Sequence, residues 1–432
     1  MLHAVAAAEE MICIDRLTNE TSLLPYDTSL IGPGADRQLC YGIIGTINLI
    51  AGPCLIVISS VTRIGSIYGQ AVWRVGETSL IPYSKTMRHL TDEQARFNQI
   101  YVNMVKSVLG TEYFYFCTSY DLSHTVQRLN NQPPEFASLS LFDRADDRFV
   151  WNRSLLQEWN NRSELKKYCL PLIHGFIAIR DVLVNGFNIK WILMSRRHVK
   201  RAGCRLFMRG ADAEGNPANY VETEQVIEYQ DNRIGNGRCS FVQIRGSIPI
   251  FWSQTPNLKY KPPPLPLSHH NHVDILKKHV DHVTQTYGPV VLVNLINHTG
   301  AEGRMEKEFA AAIQQVNHPH VKYESFDFHH ECRKMRWDRL SILMERLARD
   351  QAEYSYFHAA GPAGSGSGTQ ILCQQEGIFR TNCIDSLDRT NVLQGLIARR
   401  SLEHQLRTIA VLSPGESIKD HADFEQVYRN GK

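Results

Sequence analysis

The sequence predicts an α/β protein with a strand-rich N-terminal half and an α/β C-terminal half. Residues 43–50 and 54–59 have the character of two strands joined by a Gly-Pro turn. Residues 290–296 form a nearly continuous apolar run, which is typical of a buried parallel strand, and strands and helices alternate around it. Because 432 residues are too many for one ordinary core, we expect two domains, residues 1–165 and 166–432.

The N-terminal half contains one segment that resembles a membrane span. Residues 41–61 carry no charge and are long enough to cross a bilayer. Ala51-Gly52-Pro53 interrupts the run, however, and polar Thr46 and Asn48 lie in its first half. The segment therefore predicts the two strands above and no membrane helix. Apolar spacing predicts a helix over residues 92–109.

The C-terminal half begins after a polar, helix-like stretch at residues 153–167, where a new apolar segment starts at residues 170–177. Leu340, Leu343 and Leu347 have helical spacing and predict one buried helix face. These patterns complete the predicted α/β domain.

The most informative segment is Arg380-Thr-Asn-Cys383-Ile-Asp385-Ser-Leu-Asp388-Arg389. A short strand-like entry precedes it, and a helix-like apolar pattern begins at Thr390. A five-residue loop that runs into a helix N-terminus is a phosphate cradle, because backbone N–H groups and the helix dipole favour an anion. The same field favours a thiolate at Cys383, and Arg389 is able to bind phosphate oxygens with two hydrogen bonds. The segment predicts a cysteine-dependent phosphatase.

Spacing alone is weak support, since about one Cys-x5-Arg match is expected by chance in a chain with this composition. A second match, Cys239 to Arg245, occurs here. Its interior is bulky and β-branched, and Gly246-Ser-Ile-Pro249 follows in place of a helix. We therefore predict that Cys239 is a structural residue of a strand.

Cysteine-dependent hydrolysis of a phosphomonoester also needs an acid for the leaving oxygen. Asp385 and Asp388 lie inside the loop and are the candidates. We expect one of them to be the acid and the other to organise the loop, with Asp388 slightly favoured as the acid. The arrangement Cys-x-Asp-x-x-Asp-Arg is similar to the loop of the myotubularin phosphatases, in which the position before Arg is the favoured acid.

Composition limits the remaining functions. A formal net charge of +3 is too small to indicate nucleic-acid binding. The ten cysteines show no paired C-x-x-C spacing, so neither a zinc ribbon nor a disulfide framework is expected. No carboxylate or cysteine completes a metal site around the histidines at 269–282, which we interpret as a solvated helix start. We expect no cofactor and no metal.

The loop closely resembles the signature of the Sac-domain (suppressor-of-actin) phosphoinositide phosphatases, in particular the endoplasmic-reticulum and Golgi branch. The resemblance spans nearly the whole chain. Other similar blocks are Asp143-Arg-Ala-Asp-Asp-Arg148-Phe-Val-Trp151-Asn152, Ser195-Arg-Arg197, Asn219-Tyr-Val-Glu222-Thr-Glu224-Gln225, Arg245-Gly-Ser-Ile-Pro249-Ile-Phe-Trp252, Pro256-Asn257-Leu-Lys259-Tyr-Lys261-Pro262, Phe326-Asp327-Phe328-His329 and Met335-Arg-Trp337-Asp338-Arg339-Leu340.

The resemblance implies an N-terminal Sac subdomain, a catalytic phosphatase domain and hydrolysis of phosphatidylinositol 4-phosphate, with the 3-phosphate as a secondary substrate. It also implies a cytosol-facing domain of a protein anchored in endoplasmic-reticulum and Golgi membranes, with the transmembrane anchor absent from this chain. The loop carries no lysine, which favours a headgroup with few phosphates. The site residues expected are Cys383, Arg389, Asp388 and Asp385 as catalytic groups, and Asn382, Ile384, Ser386, Leu387, Thr390, Asp327, His329 and Arg197 as substrate-binding groups.

The sequence departs from the family pattern at two positions. Many family members have Cys where this chain has Ser386, and the loop at Asn297 lacks a lysine often seen in relatives. The chain also has a basic cluster, which comprises Arg196, Arg197, Lys200, Arg201, Arg205 and Arg209. It is either a surface for anionic lipid, a set of supporting arginines near the phosphate, or a solvated or salt-bridged face. The alternative functions are a protein tyrosine phosphatase, disfavoured because Asn382 replaces the usual His, and a catalytically inactive lipid-kinase adaptor.

Overall fold

The computed structural model describes most of the chain. The described residues are 10–16, 18, 20–27, 29, 35, 38–84, 86–204, 207–255, 262–267, 271–361 and 368–431. Three features of the sequence analysis lie outside them, namely Arg205, the pair His269 and His270, and most of the similar block at residues 256–261.

The strands are numbered in chain order. They are β1 (Glu10–Ile14), β2 (Thr21–Pro25), β3 (Gly42–Leu49), β4 (Gly52–Ile58), β5 (Val61–Ile67), β6 (Gln70–Val75), β7 (Thr78–Pro82), β8 (Phe114–Phe116), β9 (Ile173–Val184), β10 (Phe187–Arg197), β11 (Val221–Asp231), β12 (Gly235–Arg245), β13 (Trp252–Ser253), β14 (Leu265–Pro266), β15 (Val290–Asn294), β16 (Val321–Ser325), β17 (Phe357–Ala360), β18 (Gln370–Cys373) and β19 (Ile378–Asn382).

The α-helices are numbered in the same way. They are α1 (Asp92–Leu109), α2 (Val126–Asn130), α3 (Leu141–Arg144), α4 (Arg153–Asn160), α5 (His272–Tyr287), α6 (Gly300–Val316), α7 (Phe328–Glu331), α8 (Leu340–Arg346), α9 (Ala348–Tyr354), α10 (Asp388–Thr408) and α11 (Ala422–Asn430). Short 3-10 helices occur at Pro134–Ser138, Lys166–Tyr168, Arg333–Met335, Trp337–Arg339 and Ile418–Asp420.

Contacts within the chain group it into two compact units. Unit 1 comprises residues 1–123 and 135–174, and unit 2 comprises residues 124–134 and 175–432. The division into domains after residue 165, which the sequence suggested, stays a prediction.

Unit 1 contains antiparallel strand pairs. β3 and β4 form a hairpin, β7 pairs with β4, and the buried Ile43 and Val57 pack with Leu156 and Trp159 of α4. This hairpin occupies the uncharged run, so the prediction of two strands there is confirmed. None of the helices in the described part of the chain is long and apolar enough to span a membrane.

The helix predicted over residues 92–109 has the same bounds in the structure. Its start is fixed by a capping box, in which the Thr91 hydroxyl accepts from the Gln94 backbone N–H and the Gln94 side chain accepts from the Thr91 N–H. This arrangement satisfies two N–H groups that otherwise have no partner within the helix.

Unit 2 contains a mixed sheet in the order β16-β15-β19-β12-β11-β10-β9. β9 to β12 run antiparallel, whereas β19 is parallel to β15 and to the end of β12. All five residues of β15 are buried, as the apolar run predicted, and so are all five of β19. Val293 and Phe379 share one core cluster with Leu393 and Ile397 of α10. β19 is thus a central, buried parallel strand covered by the helix that follows it.

A buried ion cluster joins residues 124–126 to this sheet. Arg196 of β10 donates to Glu222 at 2.9 Å and to Glu224 at 2.7 Å, and all three side chains are fully buried. Arg196 also donates to the His124 carbonyl at 2.8 Å, and Glu224 accepts from the Val126 N–H at 2.8 Å. Glu222 also accepts from the Tyr287 hydroxyl, and Glu224 from the Ser240 hydroxyl at 2.7 Å, so the guanidinium supplies positive charge to a buried, hydrogen-bonded pair of carboxylates.

We predict that Arg196→Met destabilises the protein by about 3–5 kcal/mol, because it removes the guanidinium charge that is paired with the buried carboxylates of Glu222 and Glu224. The midpoint of urea unfolding, followed by circular dichroism, measures the effect. Arg233→Met is the control, since Arg233 pairs with Asp231 on the surface and its loss should change the midpoint little. Equal midpoints for the two variants would contradict the prediction.

Candidate active site

The Cys383 loop begins where β19 ends. β19 pairs Arg380, Thr381 and Asn382 with residues 292–294 of β15, and Thr381 also faces Arg245 at the end of β12. Because the carboxyl ends of parallel strands lie at one edge of a sheet, the segments after β15, β19 and β12 converge there. Cys383 is the first residue beyond this edge, and α10 begins five residues later.

The loop is held in shape by contacts from neighbouring segments. Arg209 donates to the Ile384 carbonyl at 2.9 Å, and the Ser386 hydroxyl donates to the Gly246 carbonyl. Ser386 has a φ of +55°, in the left-handed region that is strained for a residue with a side chain. Its bond to Gly246 compensates for part of that strain. The Leu387 N–H donates to Asp385 Oδ1 at 3.2 Å and closes the turn into α10.

The Cys383 side chain is fully buried and has two polar neighbours. Its thiol donates to Asp385 Oδ1 at 3.2 Å, and the Thr390 hydroxyl donates to its sulfur at 3.3 Å. Burial and the Asp385 carboxylate raise the pKa of Cys383, whereas the Thr390 hydrogen bond and the Arg389 charge oppose them. From the sequence we expected a thiolate; in the structure the net effect favours the thiol, with Asp385 as the acceptor of its proton.

Arg389 is the cation next to the thiol. Its guanidinium forms a two-pronged ion pair with Glu302 of α6, at 2.8 Å and 2.9 Å, and donates to the Leu295 carbonyl at 3.0 Å. The Glu302 carboxylate raises the pKa of Arg389 despite partial burial. Arg389 is therefore permanently charged and fixed between the end of β15 and the start of α6.

The two loop carboxylates have different surroundings. Asp385 is half-buried and contacts both the thiol and the Leu387 N–H. Asp388 is exposed in the first turn of α10, and within the described residues its side chain makes no hydrogen bond. Asp385 is placed to organise the loop, whereas Asp388 is open to a ligand.

Asp327 and His329 lie beside the loop that follows β15. Asp327 accepts from the His298 N–H at 2.9 Å, and His329 Nδ1 is 2.8 Å from Asn297 Oδ1. The Asn297 N–H in turn donates to Glu302 at 2.8 Å. Both predicted residues are thus linked to Arg389 through residues 297–298 and Glu302, Asp327 by way of the His298 backbone and His329 by way of the Asn297 side chain.

The remaining predicted residues are placed as follows. Asn382 donates to Asn294 at 2.5 Å and accepts from the buried Arg380 at 2.9 Å, so its side chain braces the strand below the loop. Arg197 donates to the Gly203 carbonyl and to Asn219. In the described part of the chain none of the Arg197 side-chain hydrogen bonds reaches residues 383–389.

The sequence analysis missed two residues that the fold brings to the loop, Glu302 and Arg245, and named Arg209 only as a member of the basic cluster, with a supporting role as one alternative. Cys239 is indeed buried within β12, but Arg245 at the end of that strand donates to Asn391 in the first turn of α10. Burial lowers the pKa of Arg245, and a thiolate at Cys383 opposes this effect. The one sequence feature that pointed to Arg245 was its place at the start of the family-like block of residues 245–252.

The structure also corrects the predictions made for the basic cluster and for the histidines at 269–282. Arg196 belongs to the buried ion cluster and Arg209 to the Cys383 loop, so neither forms a solvated face. The predicted solvated helix start is wrong for His272 and His279, which are buried. No group of three or more potential metal ligands occurs among the residues that the structure describes.

The chemistry of these residues suits one class of reaction. A cysteine at the end of a parallel strand, a short loop, an arginine in the first turn of the following helix and a nearby carboxylate are the parts that covalent phosphate hydrolysis requires.

Comparisons with known proteins identify the family. Residues 41–333 match the SacI homology domain family. The chain is 45% identical over 423 residues to "Phosphatidylinositol-3-phosphatase SAC1-A" of Danio rerio, covering 98% of this chain and 70% of that protein. It is 39% identical over 424 residues to "Phosphatidylinositol-3-phosphatase SAC1" of Drosophila melanogaster, covering 98% and 69%. With "Phosphatidylinositol-3-phosphatase SAC1" of Saccharomyces cerevisiae it shares 33% identity over 394 residues, covering 90% and 61%. The chain belongs to the SacI homology domain family, and the resemblance found in the sequence is confirmed.

We predict that Asp385→Asn lowers the pKa of Cys383, because it removes both the acceptor of the thiol proton and a neighbouring negative charge. The pH at which Cys383 is half-maximally reactive toward iodoacetamide, measured by mass spectrometry of its peptide, should fall. Asp388→Asn is the matched control and should leave that pH unchanged. A shift with Asp388→Asn alone would reverse the two assignments.

Proposed function

We propose that this chain is a phosphoinositide phosphatase that hydrolyses the phosphomonoester of phosphatidylinositol 4-phosphate, and also of the 3-phosphate, through a cysteinyl-phosphate intermediate. The observation that carries the proposal is the buried Cys383 between β19 and α10, with Asp385, Thr390 and Arg389 around it. The names of the similar proteins point to the same class of substrate. The comparisons support neither the tyrosine phosphatase nor the inactive adaptor.

The proposed reaction has two steps. Asp385 takes the thiol proton, and the Cys383 sulfur forms a bond to phosphorus as the bond from phosphorus to the inositol oxygen breaks. Asp388 gives a proton to that oxygen, and Arg389 stabilises the equatorial phosphoryl oxygens. Water then attacks the phosphocysteine and gives a proton to Asp388 as the phosphorus–sulfur bond breaks. Inorganic phosphate leaves, and the Cys383 sulfur regains its proton from Asp385.

Substrate choice rests on charge. Residues 383–389 contain Asp385 and Asp388 but no lysine, and Glu302 already neutralises part of the charge on Arg389. A loop whose only basic residue is Arg389 favours a headgroup with one phosphomonoester over more highly phosphorylated ones. The similar proteins named above are named for the 3-phosphate, whereas the resemblance of the loop points chiefly to the 4-phosphate. The proposal therefore includes both monophosphates.

The loop and its surroundings would hold the headgroup. We assign phosphate contacts to the backbone of Ile384, Ser386 and Leu387 and to Thr390, while Asn382, Asp327, His329 and Arg197 support or extend the site. Action at an anionic surface of endoplasmic-reticulum and Golgi membranes is part of the proposal and rests on the family resemblance. Within the basic cluster, Lys200 and Arg201 are the partly exposed candidates for that surface.

We predict that Cys383→Ser lowers the rate of phosphate release by roughly three orders of magnitude or more, because serine is a far weaker nucleophile. Phosphate release from a panel of short-chain phosphoinositides measures the rate. The monophosphates should be hydrolysed faster than the bis- and trisphosphates. Cys239→Ser is the control, since Cys239 is buried within β12 and burial raises the pKa of its thiol. Comparable losses from both substitutions would refute the nucleophile.

We predict that Asp388→Asn slows hydrolysis of the lipid by on the order of 100-fold but slows an aryl phosphate far less, because the aryl oxygen leaves without needing a proton. Asp385→Asn should slow both substrates by similar factors, since it disturbs the thiol and the loop for either one. The ratio of the two rates, measured for each variant, separates the roles. A leaving-group dependence that follows Asp385 would exchange the assignments, and none in either variant would place the acid outside the loop.

A further inference from the structure

The Arg389 side chain is bound by a carboxylate from a different element. Glu302 lies in the first turn of α6, and its two oxygens accept from Nη1 at 2.8 Å and Nη2 at 2.9 Å. Nη1 also donates to the Leu295 carbonyl at 3.0 Å. Only 13% of the Arg389 side chain and 15% of the Glu302 side chain are exposed. An ion pair that is so largely buried and two-pronged restricts the guanidinium to one orientation.

The pair occupies one edge of the guanidinium and, among the residues that the structure describes, leaves another edge without a bound partner. A guanidinium carries five N–H groups, and three of them are used by Glu302 and Leu295. The remaining two, on Nε and Nη2, form the second two-pronged edge. Glu302 therefore does not need to leave when Arg389 binds two phosphoryl oxygens. An arginine fixed in advance loses little side-chain entropy on binding its anion.

The Glu302 carboxylate is itself held in place by the 297–298 loop. The Asn297 N–H donates to its Oε2 at 2.8 Å, and Asn297 Oδ1 is 2.8 Å from His329 Nδ1. Burial raises the pKa of Glu302, but the Arg389 hydrogen bonds and charge, the Asn297 N–H and His329 outweigh it, so the net pKa is lowered. Glu302 is consequently ionised at neutral pH, with its orientation set by the 297–298 loop.

We propose that Glu302 is a positioning residue for the phosphatase reaction: it acts through Arg389, which it holds with the Nε edge free for the transferring phosphoryl group. The inference rests on the proposed function. It extends that function by assigning Asp327 and His329, which bind the same loop, to the support of Arg389.

The test compares Glu302→Gln with Glu306→Gln, a matched change one turn further along α6. Glu306 accepts from Tyr323 and Ser325 and does not contact Arg389. On a short-chain monophosphorylated inositide, Glu302→Gln should lower kcat by about 10- to 100-fold with a much smaller change in KM, because Arg389 acts mainly in the transition state. The affinity of the Glu302→Gln variant for vanadate, which mimics the transition state, should fall by a similar factor. Glu306→Gln should retain wild-type values.

Measuring the effect of Glu302→Gln in an Arg389→Lys variant distinguishes a positioning role from a general structural role. If Glu302 acts only through Arg389, Glu302→Gln should cost less than about 3-fold when Arg389 is already replaced by Lys. Full, additive losses in the Arg389→Lys background would overturn the proposal. So would a Glu302→Gln variant with wild-type kcat and wild-type vanadate affinity.

Two further measurements apply if the Glu302→Gln variant does not fold or if the wild-type chain shows no phosphatase activity. Should Glu302→Gln fail to fold, Glu302→Asp keeps the charge but retracts it by one methylene; a folded Glu302→Asp variant with wild-type kcat would overturn the proposal, and a reduced kcat would support it. Should the wild-type chain hydrolyse no phosphoinositide, the proposed function fails. Protection of Cys383 from iodoacetamide by vanadate still reports on the Glu302–Arg389 pair in that case, and equal protection in wild type and Glu302→Gln would refute the positioning role separately.

Discussion

The parallel pairing of β19 with β15 on one side and with β12 on the other determines where each charged group of the site lies. β19 is buried along its whole length and delivers Cys383 to the edge of the sheet. The segment after β15 supplies Leu295 and Glu302, which hold Arg389. The end of β12 supplies Arg245 on the opposite side. Apart from Arg209, the residues that contact the Cys383 loop or hold Arg389 thus come from the ends of the strands adjacent to β19 and from the segments that follow them.

Two buried arginines in this sheet are stabilised in different ways. Arg196 is matched by two carboxylates, whereas Arg380 donates to His279, Asn382 and the Ser247 carbonyl, which are neutral. Burial accordingly lowers the pKa of Arg380 to about 9. Burial and the adjacent Arg380 lower the pKa of His279, so its ring is neutral and its Nε2 accepts from the guanidinium while Nδ1 donates to Gly215. A positive charge is therefore retained in the strand directly below the Cys383 loop.

The protonation of the Cys383 thiol depends on both local sequence and tertiary contacts. A loop before a helix N-terminus correctly indicates a field that favours an anion, but it does not indicate how deeply the sulfur is buried or which carboxylate points at it. In the structure burial and Asp385 favour the thiol.

The sequence by itself determined the local elements and the chemistry of one loop. The 92–109 helix, the β3–β4 hairpin, the buried β15 strand and the Cys383–Arg389 segment all follow from patterns within a few residues. Only the tertiary structure decided that Glu302, Arg209 and Arg245, between 87 and 175 residues away in sequence from their partners, act on that loop. It also decided that Arg196, His272 and His279 are buried. The physical reason is that periodicity and turn chemistry act over neighbouring residues, whereas burial and ion pairing depend on which strand ends meet at the sheet edge.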